Sequence, residues 1–319
     1  VDNLEKIKLG ISSCLLGHNV RYDGGHKYDS WLVETLGAWV DYVPVCPEVG
    51  CGLPIPREAM RLVGDPANPK LLTQKTLIDH TARMKSFTEA KVESLMAEGL
   101  CGYVFKSKSP SSGMERVKVY PEKGGAASKN GVGIFAAGFL KANPLLPCEE
   151  EGRLHDPALR ENFIERIFIM HRWHGLLANK PNMGKLVEFH TRHKLMLMAH
   201  SPVHYKSMGK LVAEAAQKPF ADVLDSYFFE LMTAARKAAT PSKHQNVLLH
   251  ILGYFKKELS AFEKSELIEL IDNYKAGLVP LIVPITMLNH YVHKYNKDYL
   301  AEQHYLKPHP IELKLRNHC

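Results

Sequence analysis

The sequence predicts an α/β N-terminal domain built on a mainly parallel sheet, followed by an all-α C-terminal domain. Three observations carry this expectation. Short apolar runs at 6–13, 39–45 and 101–109 alternate with helical patterns, the order of a parallel sheet covered by helices. Prolines and an acidic run between 144 and 157 interrupt that alternation. Beyond them, apolar residues recur with helical spacing along most of the remaining chain. The domains are therefore placed at 1–150 and 151–319.

In order, KIKLGISS reads as the first strand, 29–36 as a short helix and WVDYVPV as the second strand. Residues 76–98 form a long helical pattern stopped by Gly99, and CGYVFKSKS is the third strand. Each strand runs into a polar loop, namely SSCLLGHNVRYDGG, CPEVGCGLPIPRE and KSKSPSSGMERVKV. Ligands of parallel sheets gather at the carboxyl ends of strands, so these loops are expected to share one crevice. The second half reads as helices at 158–178, 183–198, 206–216, 220–239, 243–259 and 264–276. The most apolar stretch, 276–288, contains Pro280 and Pro284 and falls short of the ~20 residues a membrane-spanning helix needs. The N-terminal VDNLEKIKLG has no apolar core of a secretory signal, so a cytoplasmic protein with no membrane partner is expected.

With 319 residues, 45% hydrophobic and 24% charged, the composition is that of a globular chain with room for two cores. Net charge is +7, of which about +6 lies after residue 150 together with 14 of the 17 histidines. A basic half suits a polyanionic partner, most commonly nucleic acid, although a plain solvated surface carries such charge as well. His190 and His193 share a helix face by spacing. With no HExxH present, His193, Arg192, Lys194, Lys206 and Lys210 read as an RNA-facing surface rather than a zinc site. Pro202 separates His200 from His204, which argues against a helix shared by that pair. Trp173 is a core residue or a platform for a stacked base.

The six cysteines are Cys14, Cys46, Cys51, Cys101, Cys148 and Cys319. In a reducing compartment these are core residues, metal ligands or catalytic thiols more often than disulfides. Cys14 and Cys46 directly follow predicted strands without CxxC spacing, which weakens a zinc-ribbon or thioredoxin reading. Thiols from separate loops suit a metal or cluster held in a crevice. Glu48, two residues from Cys46, could activate water or cap its loop. The loop 106–113 is rich in hydroxyls and lysines like an anion-binding loop, but lacks Walker A spacing.

The segments SSCLLGHNVRYDG, PVCPEVGCGLPIPRE and FKSKSPSSGMERVKVY resemble the thiouracil desulfidase (TudS) family. EFHTRHKLMLMAHSPVHYKSMGKLVAEA is similar to the helical domain fused to it in RNA 4-thiouridine desulfidases (RudS). The resemblance implies a [4Fe–4S] cluster held by three cysteines, with one iron free to take sulfur from the substrate. It further implies a catalytic glutamate at Glu48, a catalytic serine at Ser109, and conversion of 4-thiouridine in tRNA to uridine with release of sulfide. Cys14 and Cys46 match two of the cluster ligands, while the third position is Ser112, where the family pattern has cysteine. A hydroxyl is a harder and far less acidic donor than a thiol. Three accounts stay open: Ser112 is an engineered replacement, Cys51 or Cys101 ligates instead, or the cluster is lost. Beside the tRNA desulfidase stand a desulfidase of free thiouracil-type bases and a non-catalytic protein that binds RNA or metal.

Overall fold

The computed structural model describes residues 6–318, so the first five residues and Cys319 lie outside the description. The chain forms two compact units, the first ending at Asp156 and the second beginning at Pro157. The first unit is the expected α/β domain. Its elements run β1 (Ile7–Ser12), β2 (Val40–Val45), α1 (Pro47–Gly50), β3 (Met60–Val63), β4 (Lys70–Thr73), α2 (Thr81–Met96), β5 (Gly102–Phe105), β6 (Val117–Tyr120), β7 (Ser128–Gly131), α3 (Ile134–Ala142) and β8 (Cys148–Glu150).

The principal sheet has the order β2-β1-β5-β8, and every pair in it is parallel. All of β1 except Lys8 is buried, the near-continuous apolar run of a strand covered on both faces. Beneath the sheet Tyr103, Phe105, Phe135 and Phe139 form one aromatic cluster, with Phe105 edge-on to Phe139 at 5.7 Å. Gly10 is required there, because a Cβ would enter the Tyr103 ring. A second sheet, β4-β3-β6-β7, is mixed. It was not anticipated, since its four-residue strands carry charges on their outer face and too little periodicity to register.

Several boundaries differ from expectation. The helix read at 76–98 starts at Thr81, because the preceding residues fold back on β4, where the His80 amide donates to the Leu71 carbonyl at 2.9 Å. The helix read at 29–36 is two single turns, Trp31–Thr35 and Leu36–Ala38. The third strand ends at Phe105, leaving Lys106 onward as loop.

The second unit is helical: α4 (Pro157–Ala178), α5 (Met183–His200), α6 (Pro202–Ala213), α7 (Phe220–Ala235), α8 (Pro241–Leu252), α9 (Ala261–Lys275), α10 (Ile282–Lys294) and α11 (Asp298–Ala301). Pro202 separates α5 from α6 as its chemistry demands, and the Ser201 side chain caps the new helix. The apolar stretch before Leu288 enters α10, where Pro284 falls in the first turn and removes no helical hydrogen bond. Trp173 is core, stacked on Tyr227 at 5.7 Å and edge-on to Phe189 at 5.6 Å. Arg316 is buried against two carboxylates, Glu161 at 3.1 Å and Glu165 at 2.6 Å. Among the described residues no helix is long and apolar enough to cross a membrane.

Candidate active site

Three loops leave the carboxyl ends of β1, β2 and β5 and meet around a cavity of about 380 Å³. Cys14 comes from the helical turn Ser13–Leu16 after β1, and Cys46 is the residue that opens α1 after β2. Ser109 and Ser112 come from the loop after β5, and all four residues line the cavity with Glu48. The three strand tips therefore place the predicted catalytic and metal positions around one hollow.

The third loop is held by its backbone. The Ser109 hydroxyl oxygen accepts from the amides of Ser111 (3.3 Å) and Ser112 (3.2 Å), and the Gly113 amide donates to the Ser109 carbonyl (2.8 Å). Gly133, at the start of α3, lies against the same loop so closely that a Cβ would stand 2.8 Å from the Ser112 nitrogen and closer still to the Ser111 carbonyl. Lys106 is tied to Glu151, whose carboxylate also receives the Ser107 amide and hydroxyl, each at 2.7 Å. That lysine is spoken for and is no free anion ligand.

Both oxygens of Glu48 are engaged. Oε1 accepts a short 2.5 Å bond from the Ser111 hydroxyl, and Oε2 accepts from the Cys46 thiol at 3.3 Å, with Arg57 at 3.9 Å. Ser111 in turn lies 3.0 Å from the Ser109 hydroxyl and 3.4 Å from that of Ser112. A line of hydroxyls thus leads from Ser109 through Ser111 to the carboxylate, a path along which a proton can move. Sequence reasoning passed over Ser111. Its signal was only its place within the Ser109–Ser112 run, and its burial was not readable.

Burial pushes the Cys14 thiol up to about 11, with Lys106 pulling the other way. Burial and then the Glu48 charge push Cys46 up to about 12. Without a metal both are neutral thiols at physiological pH, since burial penalises the thiolate. Cys51 does not line the cavity; it packs with Leu53, Leu62 and Leu71, and its thiol donates to the Glu48 carbonyl at 3.2 Å. Cys101 directly precedes β5, at the end of the sheet opposite to the cavity. Neither can serve as the third cluster ligand.

Among the described residues, no three His, Cys, Asp or Glu side chains are placed to hold a metal ion. The donor set facing the cavity is two thiols and the Ser112 hydroxyl, which does not fit a cluster held by three thiolates.

The RNA-facing residues predicted in the helical unit divide. His193 is only 1% exposed and His190 3%, so neither presents a nitrogen to a phosphate. The His193 Nδ1 bonds the Phe189 carbonyl at 2.7 Å, and burial holds its ionisation well below the ordinary histidine value. The i,i+3 spacing placed the pair on one helix face correctly, but that face is core. Arg192 is paired with Glu188 at 2.8 Å and approaches Glu302 at 3.6 Å. Lys194 is half-buried, whereas Lys206 and Lys210 are exposed, Lys210 lying 3.7 Å from Glu214.

Residues 9–151 match the family model of 2-thiouracil desulfurase, and residues 194–310 match DUF1722, a family of unknown function. The chain is 33% identical over 153 residues to the uncharacterized protein YbgA of Escherichia coli (strain K12), spanning 48% of this chain and 90% of that protein. A solved structure titled as the [4Fe-4S]-dependent thiouracil desulfidase TudS is 30% identical, covers 49% of this chain and 98% of its own, and superposes with a TM-score of 0.39.

Proposed function

We propose that this chain, which joins a 2-thiouracil desulfurase domain to a DUF1722 domain, is built as a desulfidase of thiouracil-type substrates whose site removes sulfur from 4-thiouridine in tRNA, giving uridine and sulfide, when position 112 carries the cysteine of the family pattern. The observation that carries this reading is the shared cavity of Cys14, Cys46, Glu48, Ser109 and Ser112 at the strand tips. The net reaction exchanges C=S for C=O: water enters, hydrogen sulfide leaves, and no net redox occurs. Glu48 is the group able to take a proton from the entering water, and its fixed oxygens suit that task. Ser109 hydrogen-bonds the base or passes the proton back through Ser111. A thiolated base leaves its stack to enter such a cavity, at a cost of a few kcal/mol. Phosphate contacts from basic residues such as Lys206 and Lys210 offset that cost.

A [4Fe–4S] cluster belongs to this reading only with a third thiolate at position 112, and Ser112 withholds it. The test is anaerobic iron–sulfide reconstitution of this chain and of its Ser112→Cys form, each assayed on thiolated tRNA and on 2-thiouracil. The expected result is about four irons per chain and sulfide release from tRNA in Ser112→Cys, with little of either in the parent. A Ser112→Cys protein that takes up iron but acts only on the free base refutes the tRNA substrate. A protein that binds tRNA and never holds iron in either form points to a non-catalytic RNA-binding role, which Ser112 itself favours.

A further inference from the structure

A second concavity, of about 710 Å³, opens beside the catalytic cavity and shares Met60, Gln74, Ser107, Lys108 and Pro110 with it. Its floor is the outer face of the mixed sheet. On β6, Val117 and Val119 point inward and are buried, so Lys118 points outward. The pairing of Leu62 with Val119 sets Arg61 of β3 beside Lys118, about 5 Å across the sheet. Lys129 of β7 and Lys108 of the catalytic loop complete the rim.

The charge balance of this groove is one-sided. Arg116 is neutralised by Glu115 at 2.6 Å, and Glu115 is shared with Arg153 at 3.0 Å. Glu150 is buried and turned to the backbone amides of Met114 and Glu115. Among the described residues, Arg61, Lys108, Lys118 and Lys129 have no carboxylate partner. Arg61 lies over the Tyr120 ring at 5.2 Å, which offers a planar cation on an aromatic base. Four unneutralised cations in a groove that runs into the base-sized cavity match a row of phosphates on either side of an extruded base.

We propose that this face of the desulfurase unit binds the phosphodiester backbone of the RNA strand carrying the thiolated base; the inference rests on the tRNA reading above. Polyanion recognition is then built into the catalytic unit itself, and a free thiopyrimidine, having no phosphate, makes no use of it.

The test uses the full-length chain and labelled tRNA in a fluorescence-anisotropy titration across salt concentrations. Three proteins are compared: the parent, Lys118→Glu/Lys129→Glu, and Lys206→Glu/Lys210→Glu, each checked for an unchanged melting profile. The expected result is at least ~10-fold weaker tRNA binding by the Lys118/Lys129 variant at 0.1 M salt, with the slope of log K against log salt shallower by roughly 2. Equilibrium dialysis of 2-thiouracil should show equal uptake by that variant and the parent. Parent-like tRNA binding by the Lys118/Lys129 variant, with loss only in the Lys206/Lys210 variant, overturns this surface and leaves the tRNA reading standing. No salt-dependent tRNA binding by the parent overturns both. Polyglutamate of matched charge competing as well as unlabelled tRNA marks an acidic protein partner and overturns the assignment to RNA.

Discussion

Replacing Gly133 by alanine should damage the active-site loop from behind. Gly133 has an ordinary extended backbone, φ −62° and ψ 144°, so alanine meets no conformational strain there. The obstacle is contact. The new Cβ would stand 2.8 Å from the Ser112 nitrogen and closer to the Ser111 carbonyl, where ordinary contacts are 3.4–4 Å. Both neighbours are backbone and cannot rotate aside. They are also pinned by the Gly133 amide donating to the Gly113 carbonyl (2.8 Å) and the Ala136 amide donating to the Ser111 carbonyl (3.1 Å). The loop must move by roughly 1 Å, at a cost near the upper end of overpacking, about 3 kcal/mol. For a unit of this size that corresponds to a drop of roughly 6–12 °C in its calorimetric transition. The same movement opens the 2.5 Å Ser111–Glu48 bond, and a misplacement of about 1 Å costs on the order of 100-fold in turnover. Gly175→Ala is the matched control: it lies in α4 with nothing within 4 Å of its Cβ, and should stabilise the helical unit by up to about 1 kcal/mol. A Gly133→Ala protein that melts and reacts like its parent would refute this account of the loop.

Two further outcomes follow from the same structure. Ser111→Ala removes a short hydroxyl bond to the Glu48 carboxylate, worth about 1.5–3 kcal/mol, so steady-state turnover of 2-thiouracil in the Ser112→Cys background should fall roughly 10- to 150-fold with KM little changed. An unchanged kcat would remove Ser111 from the proton path. In the helical unit, burial holds His190 and His309 down at about 4 and His244 and His304 at about 3, against an unfolded value near 6.5. These folded values are depressed, so the stability they confer is complete above about pH 6.5 and is lost as pH falls towards 4 and 3. Urea unfolding followed by helical circular dichroism should show a midpoint markedly lower at pH 5 than at pH 7.5, and a midpoint independent of pH would contradict neutral burial of these rings.

The N-terminal domain was legible in its outline because period and punctuation survive in sequence. Three apolar runs each ended in a polar loop bearing Cys, Glu or Ser, and parallel strands bring such ends together. The helical half was legible for the same reason as far as residue 276, down to the break at Pro202, but α10 was not, because Pro280 and Pro284 in its sequence read as interruptions. The mixed sheet was not, because its strands are four residues long, too short to show a period of two, and three of the four β7 residues are exposed. Histidine chemistry was misread where only spacing was available: His190 and His193 do share a face, but periodicity cannot say whether a face meets water or core.

The order of residues along the chain by itself determined which side chains sit at the strand tips and that position 112 offers oxygen rather than sulfur. Which of those side chains touch was decided only by the folded backbone. The approach of Gly133 to Ser111, the bond from Ser111 to Glu48, and the exclusion of Cys51 and Cys101 from the cavity all join residues that are distant in sequence. Local propensity acts over a few residues, whereas these contacts are set by how helices and sheets pack, and packing is a property of the whole unit.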